Sequence, residues 1–223
     1  MSAATTYSYQ VRAFDAAANY SALSAAASAT TPPATPVAFS DDFETGTLAA
    51  WSTVSARFTV QGAQVHAGSW AARATSTGTA AYALRALAQP LSDLYYRAWF
   101  KVISRKKSSS VYLIKFRSAS NGSIMGVYVN SNGTLAYRND AGNATRTSST
   151  TVTTGVWHQL QVRAAITARQ VAVWLDGSPV TALTRTESLG SAAVGRLQLG
   201  DDNGSRTFDV AFDDVVASTQ PVN

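Results

Sequence analysis

The chain is dominated by apolar and polar positions that alternate with a period of two. Over residues 95–102, Tyr96, Ala98, Phe100 and Val102 share one face of an extended segment, and Tyr95, Arg97, Trp99 and Lys101 share the other. The same pattern predicts strands at 95–103, 111–117, 125–129 and 135–139, and a second series at 157–163, 171–175, 196–199 and 208–216. Between them stand Asn121-Gly122, Asn132-Gly133, Ala141-Gly142-Asn143, Asp176-Gly177 and Asn203-Gly204, residue pairs that readily supply the positive φ of tight hairpins. Helical periodicity is weak throughout. The Ala-rich stretch 80–91 carries Pro90 and reads as strand and loop. Many short strands punctuated by such turns predict an all-β, antiparallel two-sheet sandwich.

Domain limits follow from the prolines. Thr31-Pro32-Pro33-Ala34-Thr35-Pro36 is a stiff, extended segment, so residues 32–36 read as a linker between a short segment, 1–31, and a body, 37–219. Tyr7, Tyr9, Val11 and Ala13 alternate in the short segment, and Asp15 to Tyr20 supplies turn residues before a small-residue strand at 21–30. Two strands alone are marginal in water. The reading is therefore a piece of a longer modular protein.

Composition narrows the chemistry. Of 223 residues only 14% are charged, and Ser, Thr, Asn, Gln and Ala must build much of the surface. The absence of cysteine excludes disulfides, thiolate-bound zinc and thiol catalysis. Two histidines, His66 and His158, make a multi-histidine metal site improbable. No apolar run reaches the roughly 20 residues of a membrane span, and the start lacks the layout of a signal peptide. The net charge of +5 is mild for this length and reads either as ordinary solubility or as a surface that attracts anionic polymers. The one dense basic run, Arg105-Lys106-Lys107, reads as a hairpin tip and is too short for a nucleic-acid arm.

Several segments resemble known families. Thr6 to Ala13 followed by Asp15 to Ser21 is similar to the last two strands of a fibronectin type III domain. Gly155-Val156-Trp157-His158-Gln159-Leu160-Gln161-Val162, followed by Val171 to Gly177, resembles paired strands of laminin-G-like and concanavalin A-like jelly rolls. Phe39 to Gly46 with Trp51, His66 to Arg73, and the closing Phe212-Asp213-Asp214-Val215 match the same modules in order. The resemblance implies a jelly roll whose first and last strands lie side by side, from an extracellular, secreted bacterial protein. It also implies a structural calcium held by Glu44 and Asp214, with Asp42 as a further ligand; calcium takes six to eight oxygens. His158 would help seat its strand.

The candidate binding residues come from face assignment. Lys115 and Arg117 oppose Tyr112, Ile114 and Phe116; Tyr128 opposes Met125, Val127 and Val129; Arg138 opposes Leu135, Tyr137 and Asn139. If these strands are neighbours of 95–103, one sheet face displays Arg97, Trp99, Lys115, Arg117, Tyr128 and Arg138. Rings stack on sugars, and guanidinium forks bind carboxylates or sulfates. The expected function is a non-catalytic carbohydrate-binding or adhesion module that recognises a polysaccharide or cell-surface glycan, anionic ones favoured, beside neighbouring domains of a parent protein. Two alternatives stay open: a polysaccharide lyase or glycoside hydrolase of the same fold, and a structural spacer or protein-binding domain. His66, Tyr128, Gln161 and Arg117 are of the types lyases use, but the characteristic lyase and glycosidase motifs are absent.

Overall fold

Alternation becomes strand almost everywhere. In the computed structural model, which describes residues 4–31 and 36–222, the chain divides into two units, Met1–Pro36 and Val37–Asn223. The first unit pairs β1 (Thr6–Tyr9) antiparallel with β2 (Ala27–Thr30). The expected strand continues to Ala13, yet regular pairing stops at Tyr9. Serine hydroxyls take over: Val11 N–H donates to Ser24 Oγ at 3.1 Å and Ala13 N–H to Ser21 Oγ at 2.9 Å. Short polar side chains that accept backbone bonds compete with the ladder. Tyr9, Val11, Phe14, Tyr20 and Leu23 are exposed. The expected linker lies outside the described residues except for Pro36.

The second unit begins with β3 (Val37–Asp41), β4 (Thr53–Val54), β5 (Phe58–Gln61), β6 (Ala71–Thr77), β7 (Ala81–Leu91) and β8 (Asp93–Arg105). It continues with β9 (Val111–Ser118), β10 (Ser123–Val129), β11 (Thr134–Asn139), β12 (Ala144–Thr151) and β13 (Trp157–Ala165). It closes with β14 (Gln170–Leu175), β15 (Ser178–Pro179), β16 (Arg185–Thr186), β17 (Val194–Asp201) and β18 (Thr207–Ser218). Pairing is antiparallel, in a seven-stranded sheet ordered β12-β11-β10-β9-β17-β7-β4 and a nine-stranded sheet. The latter runs β15-β14-β13-β8-β18-β6-β5, with β16 on β14 and β3 on β18. First and last strands of the body are thus neighbours, Val215 opposite Asp41. Among the described residues no helix is long and apolar enough to cross a membrane.

The core lies between the sheets. Tyr96, Ala98, Phe100 and Val102 of β8 are buried, and so are Ile114 and Phe116 of β9. Tyr96 meets Phe116 edge-on at 5.9 Å across the interface. Each such large side chain contributes about 1.5–3 kcal/mol by leaving water. At one end Trp51 packs edge-on against Phe39 (5.2 Å) and stacks with Phe43 (6.3 Å), tying the entry of the body to the sandwich. Pro90 does not end β7; it falls where pairing with β17 slips between Ala86 and Leu91.

Two connections position the functional surfaces. Asp176 and Gly177 both take positive φ, 51° and 74°, and turn β14 back towards β15. The basic run at Arg105 is not a hairpin tip. It carries the chain from β8 in the nine-stranded sheet to β9 in the seven-stranded sheet, so these two strands are not hydrogen-bonded neighbours.

Candidate functional site

That crossing divides the candidate residues. Arg97 and Trp99 stand on the outer face of the nine-stranded sheet, opposite Gln161 and Gln159 of β13. Lys115, Arg117, Tyr128 and Arg138 belong to β9, β10 and β11 of the other sheet. The single wall of six residues expected from the alternation does not exist. Four of the six share a face. Two lie on the opposite side of the sandwich.

The four are assembled by register. Gly126 of β10 lies between Lys115 and Arg138, and Tyr128 lies between Tyr112 and Ala136. Pairing of β10 with β9 shifts between Val127 and Tyr128, so an extra residue, Leu113, enters β9. This bulge turns Tyr112 outward, where simple alternation had assigned it to the core. Its ring meets Tyr128 edge-on at 5.2 Å. Lys115 Nζ sits 4.0 Å from the Tyr112 ring centre and the Arg206 guanidinium 5.1 Å from it. Gly126 makes this possible, since a Cβ there would come within 2.5 Å of Lys115 Cγ and 2.9 Å of Tyr112 Cε1.

Beneath the tyrosines runs a polar network. Asp202 accepts a bond from Lys115 Nζ at 2.7 Å and another from Arg117 Nη2. Gln198, fully buried, accepts from Arg117 Nε at 2.7 Å and donates to the Gly200 carbonyl at 2.9 Å. Arg117 Nη1 donates to the Asn121 carbonyl at 2.8 Å. The Arg117 fork expected to grip a ligand is thus turned into the protein and braces the floor. Asp201 accepts from Tyr112 N–H (2.8 Å) and Arg206 Nη1 (2.6 Å). Arg138 pairs with Asp140 at 3.4 Å.

Burial works to raise the Asp202 pKa, but the hydrogen bond and charge of Lys115 and the charge of Arg117 outweigh it and hold the carboxyl below its ordinary value. Burial, aided by Asp140, pushes the Tyr112 phenol up to about 12. Burial also raises Tyr128, against the opposing charges of Arg138 and Arg206. Both phenols keep their protons at neutral pH. On this face Lys115, Arg117, Arg138, Arg196 and Arg206 stand against Asp140, Asp201 and Asp202, a surplus of two positive charges. Of these residues Tyr112, Gln198, Asp202 and Arg206 were missed by alternation. The alternation of Arg196 and Gln198 with Leu197 and Leu199 was the available signal.

Trp99 is covered by the molecule itself. His66 stacks on it at 3.8 Å between ring centres, 18° from parallel, and meets Trp157 edge-on at 5.6 Å. His66 Nδ1 contacts Asp214 Oδ2 at 2.8 Å, while Asp213 Oδ2 accepts the backbone N–H of His66 at 2.9 Å. His66 and Gln161 are therefore on the opposite sheet from Tyr128 and Arg117. His158 seats its strand: Nδ1 contacts Asp176 at 2.7 Å and Nε2 accepts from Thr153 N–H at 3.1 Å.

The carboxylates implied for calcium are committed elsewhere. Glu44 accepts from the backbone N–H of Ser69 (2.9 Å) and Trp70 (2.9 Å), and Asp42 from Glu44 N–H (3.1 Å). Asp214 faces His66, and burial raises the Asp213 carboxyl. Glu44 and Asp214 do reach the same 62–70 segment from opposite ends of the chain. Among the described residues, however, no three His, Cys, Asp or Glu side chains form a group that could hold a metal ion. As arranged, the Glu44 carboxylate and Asp42 Oδ1 face backbone N–H groups.

Residues 75–223 match the family model described as the concanavalin A-like lectin/glucanases superfamily, of laminin G type. The chain belongs to this superfamily. A solved structure titled cellulose induced protein, Cip1, is similar over 83% of this chain and 99% of that one, with a TM-score of 0.68 and 18% identity. A sialidase is similar over 84% of this chain but 19% of its own, with a TM-score of 0.58 and 12% identity. A Trypanosoma rangeli sialidase is similar over 74% of this chain and 27% of its own, with a TM-score of 0.55 and 14% identity. At these identities the structures share the superfamily fold alone, and the chain spans about a fifth to a quarter of the sialidases' length. No curated protein matches.

Proposed function

We propose that the jelly roll is a non-catalytic module that binds an acidic polysaccharide on the open face of the seven-stranded sheet. The observation that carries this reading is the Tyr112–Tyr128 pair with Lys115 and Arg206 against the Tyr112 ring, on a face with surplus positive charge. Phenol rings offer flat apolar surface and protonated hydroxyl donors to a sugar ring. The positive surplus of the face attracts its carboxylates or sulfates. The buried Asp202–Lys115–Arg117–Gln198 network holds the rings in place. In the same reading residues 1–31 are the tail of a fibronectin type III domain, and the parent protein is a secreted bacterial one whose neighbouring domains the module targets to its polymer.

Calorimetric titration with pectin, alginate and heparin fragments, beside neutral glycans, tests the reading. An acidic polymer should bind and weaken with added salt, and Tyr128→Ala should reduce affinity about tenfold, equivalent to roughly 1.4 kcal/mol. Equal binding of neutral glycans, or a Tyr128→Ala variant with unchanged affinity, overturns it. A lyase is the second reading, favoured by the two tyrosines, Tyr112 and Tyr128, gathered on one face. A new ultraviolet-absorbing double bond in an acidic polymer would establish it.

A further inference from the structure

The outer face of the nine-stranded sheet carries a second aromatic cleft, on the other sheet from the residues just described. Tyr95 of β8 and Trp174 of β14 face each other across β13, with ring centres 6.2 Å apart and planes 32° from parallel. Tyr95 is opposite Arg163, and Arg163 is opposite Ala172, so the small Ala172 side chain leaves a depression beside the two rings. The result is an open cleft of about 350 Å³, with Gln170, Thr184, Arg185 and Thr186 also lining it. Those four side chains are exposed, and the two rings are half-buried.

Charge decides what fits. No carboxylate lines the cleft. Arg163 is neutralised from outside by Asp93, through Nε at 2.8 Å and Nη2 at 2.5 Å, and its Nη1 donates to Gln170 at 3.3 Å. Arg185 is different: its Nε donates to the Ala182 carbonyl at 3.2 Å, and no carboxylate pairs with it among the described residues. The cleft therefore presents two flat apolar walls, a hydroxyl and amide rim, and one uncompensated guanidinium. A pyranose has an apolar C–H face for a ring, hydroxyls for the rim, and, when it is a uronic acid, a carboxylate for Arg185.

We propose that Tyr95, Trp174 and Arg185 form a second saccharide site, for a uronate unit, on the sheet opposite the first. The site does not depend on the seven-stranded face. With both in use, the module would hold two chain segments at once, and a second contact on one polymer would gain from high local concentration.

Amide and indole NMR spectra of the full chain, titrated with trigalacturonate, trimannuronate and cellotriose, test this. The expected result is that an acidic trisaccharide shifts the Trp174 indole N–H and the amides of Thr184–Thr186, with Arg185→Gln weakening that response about tenfold. Arg185 is exposed, so this change should leave the fold intact. Shifts at Gly126 and Tyr128 report the first face separately. Shifts confined to those residues, no shift at Trp174 up to about 10 mM acidic sugar, or equal affinity of Arg185→Gln, would overturn the second site. Shifts at Trp174 without any at Gly126 would support it while removing the reading of the first face.

Discussion

Replacing Asp202 by Asn tests the physical basis of the seven-stranded face. The side chains of Lys115 and Arg117 are 9% and 11% exposed, and both converge on the Asp202 carboxylate, itself 28% exposed. An amide keeps the shape and one acceptor but leaves two nearly buried cations against no anion. Removing one partner of a fully buried pair costs about 3–5 kcal/mol. Solvent at Asp202 screens part of this, so about 2–3 kcal/mol is expected. For a unit of this size that is a fall of roughly 4–12 °C in Tm. The pH dependence supplies an internal check. The folded Asp202 pKa lies below its ordinary value. Its contribution is therefore complete above the unfolded value of about 3.9 and is lost as pH falls through the lower, folded value. Urea unfolding should show the wild-type advantage constant above about pH 5 and shrinking towards about pH 2. A difference under about 0.5 kcal/mol at neutral pH, or one equally large at both extremes, would refute the assignment of Asp202 as the anion that holds this network.

Two further outcomes follow from the same geometry. Gly126→Ala places a methyl group 2.5 Å from Lys115 Cγ and 2.9 Å from the Tyr112 ring; displacing both should cost about 1–3 kcal/mol in urea unfolding and weaken polysaccharide binding in the same variant, whereas a variant of unchanged stability would mean the two side chains are free to move apart. Because the Glu44 oxygens already accept backbone N–H bonds, neither chelator nor millimolar calcium should move Tm in a calorimetric scan, and a rise of several degrees with calcium would show that the 62–70 segment reorganises around an ion.

Much of the architecture was legible because burial and strand period act together. Tyr96, Ala98, Phe100 and Val102 are inward because a twofold period leaves one face of β8 against the opposing sheet. Asp176-Gly177 is read as a turn for a purely local reason, the ease of positive φ at both positions. Neither inference needs knowledge of which strand lies beside which. The Gly155–Gly177 and Phe212–Val215 segments likewise pointed to the superfamily through local side-chain order alone.

The site required two non-local facts that alternation does not contain. The first is sheet membership. A short polar connection between strands usually joins neighbours, but here residues 106–110 cross the sandwich, and this one connection sends Trp99 and Arg117 to opposite outer faces. The second is parity after a bulge. Inserting Leu113 reverses the face of Tyr112 relative to Ile114 and Phe116, and only its pairing with Tyr128 reveals the reversal. Charge is non-local in the same sense. Arg117 reads as a free fork until Gln198 and Asp202, more than eighty positions away, occupy it. A composition that is poor in charge makes such pairing decisive: with 18 basic and 13 acidic residues in the whole chain, each carboxylate placed beside a cation determines which guanidinium is left to face a ligand. On the seven-stranded face the carboxylates pair with Lys115, Arg117, Arg138 and Arg206 and leave Arg196, and on the opposite sheet they leave Arg185.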